Sequence, residues 1–188
     1  MTWPFHPLDP GSYGTVCVDP PWNHGITQRL AGGANRRQNA AWRRYSTLTI
    51  AELSDLPVAD LLAGSGHVWL WVTNTMLARG DHAPILDAWG LRPILPVTWC
   101  KTGQPGLGRY VRNTTESCVL AVKGWGSLPA VPAPSTWFTA ARAGHSVKPL
   151  AFGDLVEQVS PGPYCELFQR QGRLGWVGWG WGHESGAA

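Results

Sequence analysis

Charge is scarce in this chain. Only 14% of its 188 residues are Asp, Glu, Lys or Arg, whereas 44% are hydrophobic. So apolar a composition excludes a disordered chain and suits a globular domain with a sizeable core, and one domain spanning 1–188 is expected. Long apolar runs are missing too: none approaches the ~20 residues a helix needs to cross a bilayer, so no membrane partner is expected. The opening stretch MTWPFHPLDP has neither the basic nor the apolar part of a secretory leader. Cysteine is sparse, at positions 17, 100, 118 and 165, with no C-x-x-C pair and no zinc spacing. Each lies in an apolar, strand-like run, so all four are expected to be buried free thiols in a reducing compartment, and no metal is expected. No G-x-G-x-x-G follows the first apolar run, which argues against a nicotinamide-dinucleotide enzyme. The H-x-E and P-C-x-x-C pair of a zinc nucleobase deaminase is also missing. Repeats and low-complexity tracts are absent.

Acidic residues are missing from one particular place. Between Asp19 and Glu52 there is none, while Arg29, Arg36, Arg37, Arg43 and Arg44 all fall there. A local excess of five positive charges among Gly, Asn and Gln residues suits either a phosphate-binding loop or a merely solvated basic one. What the chain has in abundance is tryptophan, 12 residues of it. Most are expected in the core, a few on flat ligands.

Hydrophobic patterning sets out the elements. GTVCV (14–18) reads as a short buried strand ending at Asp19, followed by a loop over 20–45, with 23–44 as its basic insertion. Thr49-Ile50-Ala51-Glu52 is a capping box opening a helix to about Leu62, which Pro57 is placed to break or bend. HVWLWVT (67–73) is a strand, and Asn74 is the expected cap of a helix ending near Gly90. ILPVTWCK (94–101) and ESCVLAVKG (116–124) are strands separated by a Gly/Pro-rich loop over 102–114. Ser146 and Pro149 mark a helix start running to about Ser160, and YCELFQR (164–170) is the last clear strand. This alternation predicts an α/β sheet with helices on both faces, whose ligands bind at the carboxyl ends of the strands. Asp19, Lys123 and Arg170 each follow a predicted strand, so all three are expected along that one edge.

Asp19-Pro20-Pro21-Trp22 stands where the first strand ends. Its chemistry suits methylation of an exocyclic amine. The lone pair of adenine N6 is delocalised into the ring, and an acceptor for N6–H frees it. Asp19 can be one such acceptor and the Pro20 carbonyl a second. The prolines hold φ near −65°, so that carbonyl is fixed before reaction, and Pro21 has no N–H to compete. Trp22 offers a flat face on which a base could stack. On its own the tetrapeptide also suits a rigid turn after a strand.

Further ordered motifs make the chain resemble the MT-A70 family of adenine methyltransferases. They are Tyr45-Ser46-Thr47-Leu48, Leu56-Pro57-Val58, Leu70-Trp71-Val72-Thr73-Asn74, Ala88-Trp89-Gly90 and Trp99-Cys100-Lys101. A Gly-x-Gly-Arg-Tyr-x-Arg loop follows from Gly106 to Arg112, then Glu116 with Val122-Lys123-Gly124, His145-Ser146-Val147-Lys148-Pro149 and Glu166-Leu167-Phe168-Gln169-Arg170. The resemblance runs from about Gly14 to Arg170. It implies a Rossmann-like class I methyltransferase fold of permuted order, with the catalytic tetrapeptide before the cofactor-binding strand. It implies S-adenosylmethionine as methyl donor, S-adenosylhomocysteine as product, and adenine N6 as acceptor. Asp19, Pro20, Pro21 and Trp22 would be the catalytic motif, and Tyr45 would sit over the target base. Apart from the resemblance, charge alone makes Arg43 and Arg44 of the basic stretch, with Arg109 and Arg112, the expected contacts to nucleic acid. Asp19, Pro20, Lys123, His145, Ser146, Lys148 and Arg170 would surround the cofactor.

The family's closing Trp-Gly-Asn-Glu is altered here to Gly178-Trp179-Gly180-Trp181-Gly182-His183-Glu184. Matching Glu184 places His183 at the cofactor-binding Asn position; a register without insertion places Trp181 there. The long basic loop has no counterpart in the eukaryotic pattern. DNA is the expected partner over RNA, because the compact chain shows no added zinc finger or RNA-binding module. A cytoplasmic location, in a bacterial or phage-infected cell, goes with that reading. A chain this small offers little surface for a duplex, which leaves room for a homodimer. The intact tetrapeptide argues against a catalytically silent partner subunit.

Overall fold

The computed structural model describes residues 3–22, 47–104, 110–125, 132–142 and 147–180. Among them seven strands form one sheet in the order β5-β3-β4-β2-β1-β6-β7. The strands are β1 (Tyr13–Val18), β2 (Leu62–Val72), β3 (Arg92–Thr102), β4 (Thr115–Lys123), β5 (Trp137–Ala141), β6 (Tyr164–Leu167) and β7 (Trp176–Trp179). β1 is parallel to β2 and β6, β6 to β7, and β3 to β5; β4 is antiparallel to both β2 and β3.

Alternation along the strands builds two cores. Val16 and Val18 of β1 and Val68, Leu70 and Val72 of β2 face one side, where they pack with Leu53, Ile85 and Leu86. These come from helices α1 (Ile50–Ser54) and α3 (Ala83–Ala88). Cys17, Trp69, Trp71 and Trp99 face the other side, where Phe152, Leu155 and Val156 of α4 (Leu150–Val159) cover them. A period of two along the strand puts successive side chains on opposite faces, so both faces carry apolar residues and helices cover both.

The helical elements are shorter than the patterning suggests. The capping box at Thr49 and Glu52 is present, but α1 ends at Ser54, and after Pro57 a 3-10 turn (Val58–Asp60) continues the chain. The expected helix over 74–90 is two helices. Thr73, not Asn74, caps α2 (Asn74–Arg79), and Gly80 at φ 73° closes it before α3. Glycine takes this left-handed position without a Cβ penalty. The Asn74 amide instead reaches the Thr115 hydroxyl at 2.9 Å, tying α2 to the start of β4. β7 is not expected from the sequence: WVGW is four residues long and contains a glycine, so it carries little strand signal. Cys17, Cys118 and Cys165 are buried thiols as expected, whereas Cys100 is half-buried on β3 near the sheet's edge.

Candidate active site

The register decides which chain ends share an edge. Val18 pairs with Leu70 of β2 and with Leu167 of β6, so Asp19 emerges where these parallel strands end. The reversed β4 has its first residues there, with Ser117 opposite Val72, and Trp99 of β3 pairs with Glu116. Lys101, Glu116 and Asp19 therefore stand on one edge of the sheet, and Arg170 joins them from beyond β6.

The side chains form a row of alternating charge across that edge. Arg170 Nη1 donates to Asp19 Oδ2 at 2.8 Å, and Lys148 Nζ donates to Asp19 Oδ1 at 2.8 Å. The same ammonium lies 3.0 Å from Glu116 Oε1, and Lys101 Nζ donates to Glu116 Oε2 at 2.7 Å. Lys148 Nζ also lies 4.9 Å from the centroid of the Trp71 ring. The Asp19 side chain is 8% exposed and that of Lys148 11%, so water screens this pair poorly. Burial pulls the Lys148 pKa down, but the carboxylates of Asp19 and Glu116 outweigh burial and hold it above lysine's usual value. Burial likewise pushes the Glu116 carboxyl up, and Lys148 and Lys101 together outweigh it and bring the pKa below the usual value. Every charge in the row is compensated, which is what buried ions require.

A shallow cleft, open to solvent, lies over this edge, lined among others by Asp19, Lys148, Phe152, Glu166, Arg170 and Trp176. Glu166 is an acid with little solvent. Burial lifts its pKa to about 7, the Asp19 carboxylate adds to that, and the Gln169 amide, Lys148 and Arg170 work against it. Phe168, between Glu166 and Arg170, takes φ 62°, a left-handed conformation unusual for a bulky residue. Strain of that kind collects where a chain must present particular groups, and here it lies between two of the polar residues that line the cleft.

The tetrapeptide is tightly organised. The Trp22 N–H donates to the Pro20 carbonyl at 2.9 Å, and the Leu48 N–H donates to the Pro21 carbonyl at 2.9 Å. The Pro20 oxygen, with two lone pairs, thus has one partner among the described residues. Trp22 departs from the expectation of a stacking platform. It is 7% exposed, lies in the core, and its Nε1 donates to the Trp71 carbonyl at 3.0 Å. The ring is packed among the chain's own residues rather than set out as an open platform.

Of the residues expected around the cofactor, Asp19, Pro20, Lys148 and Arg170 come together. Lys123 does not. It ends β4, and because β4 is antiparallel, that end lies at the opposite edge, where Gly66 pairs with Lys123. Its Nζ donates to the Ala59 carbonyl at 2.8 Å. Placing Lys123 beside Asp19 assumes a parallel strand, and hydrophobic patterning carries no direction. Arg112 is exposed on the β3–β4 connection, which belongs to the Asp19 edge. Tyr45, Arg43, Arg44, Arg109, His145, Ser146 and His183, and the basic segment 23–44, lie outside the described residues. Sequence reasoning misses three members of the site: Lys101, Glu116 and Glu166. Each is a charge inside an otherwise apolar strand, a pattern that flags an ion destined for pairing. Among the described residues, no three His, Cys, Asp or Glu side chains group as a metal site would need, and no helix is long and apolar enough to cross a membrane.

Comparison with known proteins places a family beside this geometry. The MT-A70 family model matches residues 13–182. The chain is 26% identical to the type II methyltransferase M.MunI of a Mycoplasma species, over 94% of this chain and 80% of that protein. It is 28% identical to the N6-methyladenosine RNA methyltransferase MTA1 of Pyricularia oryzae, over 90% of this chain and 46% of that protein. It is 24% identical to the mouse N(6)-adenine-specific methyltransferase METTL4, over 90% of this chain and 37% of that protein. The chain thus spans less than half of the fungal and mouse relatives. The mixed α/β sheet fits a class I methyltransferase fold, and the family model runs from β1 past β7. With its cleft built from the elements the match covers, the chain belongs to the MT-A70 family of methyltransferases.

Proposed function

We propose that this chain transfers a methyl group from S-adenosylmethionine to N6 of adenine in DNA, as a single class I domain of permuted order. The observation that carries the reading is the buried Asp19 carboxylate at the tip of β1, held between Lys148 and Arg170 at the mouth of the cleft. The order of elements supports permutation: the strand bearing the tetrapeptide comes first in the chain, and β6, which supplies Glu166 and leads to Arg170, comes near its end.

The cleft's groups fit the proposed donor. Lys148 and Arg170 offer cationic donors to a carboxylate and to ribose hydroxyls, Asp19 offers an anionic acceptor to an ammonium, Glu166 offers a carboxyl that ionises near pH 7, and Phe152 and Trp176 offer aromatic surface. When bound, S-adenosylmethionine supplies an electrophilic methyl group on a sulfonium. Asp19 and the Pro20 carbonyl accept the N6–H bonds of the target amine, which localises the lone pair on nitrogen. The second lone pair of the Pro20 oxygen serves that purpose. The proton shed by N6 after methylation passes to an Asp19 oxygen and on to water. Removing one such preorganised acceptor costs on the order of 10²–10³ in rate.

DNA is preferred because the chain spans 80% of a type II methyltransferase. The match to a fungal RNA methyltransferase favours RNA as the second reading. A methyl-transfer assay on DNA and on RNA, with digestion to nucleosides, decides both. N6-methyladenine in DNA is expected, whereas methylation of RNA alone, or of another base, overturns the assignment. Asp19→Ala is expected to abolish transfer while leaving S-adenosylmethionine binding measurable; full activity in that variant removes the mechanism.

A further inference from the structure

Both oxygens of Asp19 carry a cation. Lys148 Nζ lies 2.8 Å from Oδ1 and Arg170 Nη1 lies 2.8 Å from Oδ2. This poses a problem for methyl transfer to an amine held by Asp19. A neutral amine N–H is a weaker donor than an ammonium, whose charge-assisted bond to carboxylate is roughly twice as strong. An N6–H can share Oδ1 through its second lone pair, but it gains the oxygen's full acceptor strength only as the ammonium leans away from it. In so buried a corner, an ammonium leaving one carboxylate with no second in reach would stand uncompensated.

The structure holds a second carboxylate for it. Glu116 Oε1 lies 3.0 Å from the same Nζ. Glu116 is itself held in place. Its Oε2 accepts from Lys101 at 2.7 Å, and its backbone is fixed in β4 opposite Trp99 of β3. The Trp71 ring, 4.9 Å from the ammonium, gives the cation a further favourable surface at the same spot. Lys148 can therefore lean from one carboxylate to the other without losing a charge partner.

Resting on the reading that Asp19 receives the target amine, we propose that Glu116, braced by Lys101, is a positioning residue that takes the Lys148 ammonium off Asp19 when that amine arrives. Asp19 Oδ1 is then open to N6–H, and Lys148 stays paired throughout. Neither Glu116 nor Lys101 touches the reacting atoms; both act through Lys148.

The test separates this role from a structural one. Glu116→Gln keeps the shape and removes the charge, so Lys148 is left to Asp19 alone. At saturating S-adenosylmethionine and DNA, kcat is expected to fall about tenfold or more, while calorimetric affinity for S-adenosylhomocysteine stays within about twofold of the parental protein. Adding Lys148→Met to Glu116→Gln removes the blocking ammonium and is expected to raise kcat again, although cofactor affinity weakens. A direct readout needs no variant. In the parental protein with S-adenosylhomocysteine bound, the side-chain ¹⁵N resonance of Lys148 is expected to shift when an adenine-containing oligonucleotide is added. An unmoved resonance, an unchanged kcat in Glu116→Gln, or a double variant no faster than the single one overturns the proposal. Asp19→Ala run alongside tells the two failures apart. If it is inactive while Glu116→Gln is normal, only the positioning role falls; if it is active, the reading of Asp19 falls first.

Discussion

Replacing Glu166 with glutamine probes the electrostatics of the cleft while keeping its shape. Glu166 lies on β6 between the buried Cys165 and Leu167, and burial lifts its pKa from 4.5 to about 7. The unfolded chain therefore ionises this group near its ordinary value, while the folded chain keeps the proton until about pH 7. Because the folded state binds the proton more tightly, its stability is highest below the unfolded pKa, falls as pH rises to about 7, and is level beyond. At 1.36 kcal/mol per tenfold in proton affinity, the whole interval corresponds to about 3 kcal/mol. Glutamine cannot ionise and lacks this slope. Urea unfolding of both proteins at about pH 5 and pH 8 should show the variant gaining about 2–3 kcal/mol on the parental protein between those two conditions. Asp19, Lys148, Arg170 and Gln169 face position 166 in both proteins, so what they contribute is common to the two curves. Parallel pH profiles for the two proteins would refute the reasoning, because they would mean that the carboxyl ionises as readily inside the fold as outside it.

Trp22→Ala should lower stability by about 3–5 kcal/mol, seen as an earlier urea midpoint, since a buried ring and its bond to the Trp71 carbonyl are lost; a normal midpoint with weakened nucleic-acid binding would restore the stacking role. Lys123→Met should leave S-adenosylmethionine affinity unchanged by calorimetry while costing about 1–3 kcal/mol of stability, because Nζ serves the Ala59 carbonyl at the far edge. Arg43→Ala with Arg44→Ala should weaken DNA binding and reduce the slope of log affinity against log salt by about 2. An unchanged slope would dispose of their phosphate role.

Much of the fold is legible in the residues themselves. The apolar run before Asp19, the capping box at Thr49, and the strands around Trp71, Trp99 and Val119 all follow from hydrophobic period and local hydrogen-bonding chemistry, which need only neighbours in the chain. The same locality explains why Pro57 reads as a break after α1 and why the tetrapeptide reads as a catalytic corner. Gly80 splitting one expected helix into two is less visible, because a single glycine inside a helical pattern is compatible with continuing it.

Strand direction and register belong to the tertiary structure alone. Side-chain alternation is the same whether a strand runs up or down, so nothing in ESCVLAVKG says that Glu116 ends up at the Asp19 edge and Lys123 at the other. Once β4 is reversed, a glutamate from β4, a lysine from β3 and a lysine before α4 meet across the edge as one paired row. Long stretches of chain separate them, and only the packing of the sheet brings them within hydrogen-bond reach. The sequence by itself determined that a carboxylate would stand at the tip of β1. The fold decided which cations hold it and that the Trp22 ring packs in the core against Trp71, because those depend on contacts between segments far apart along the chain.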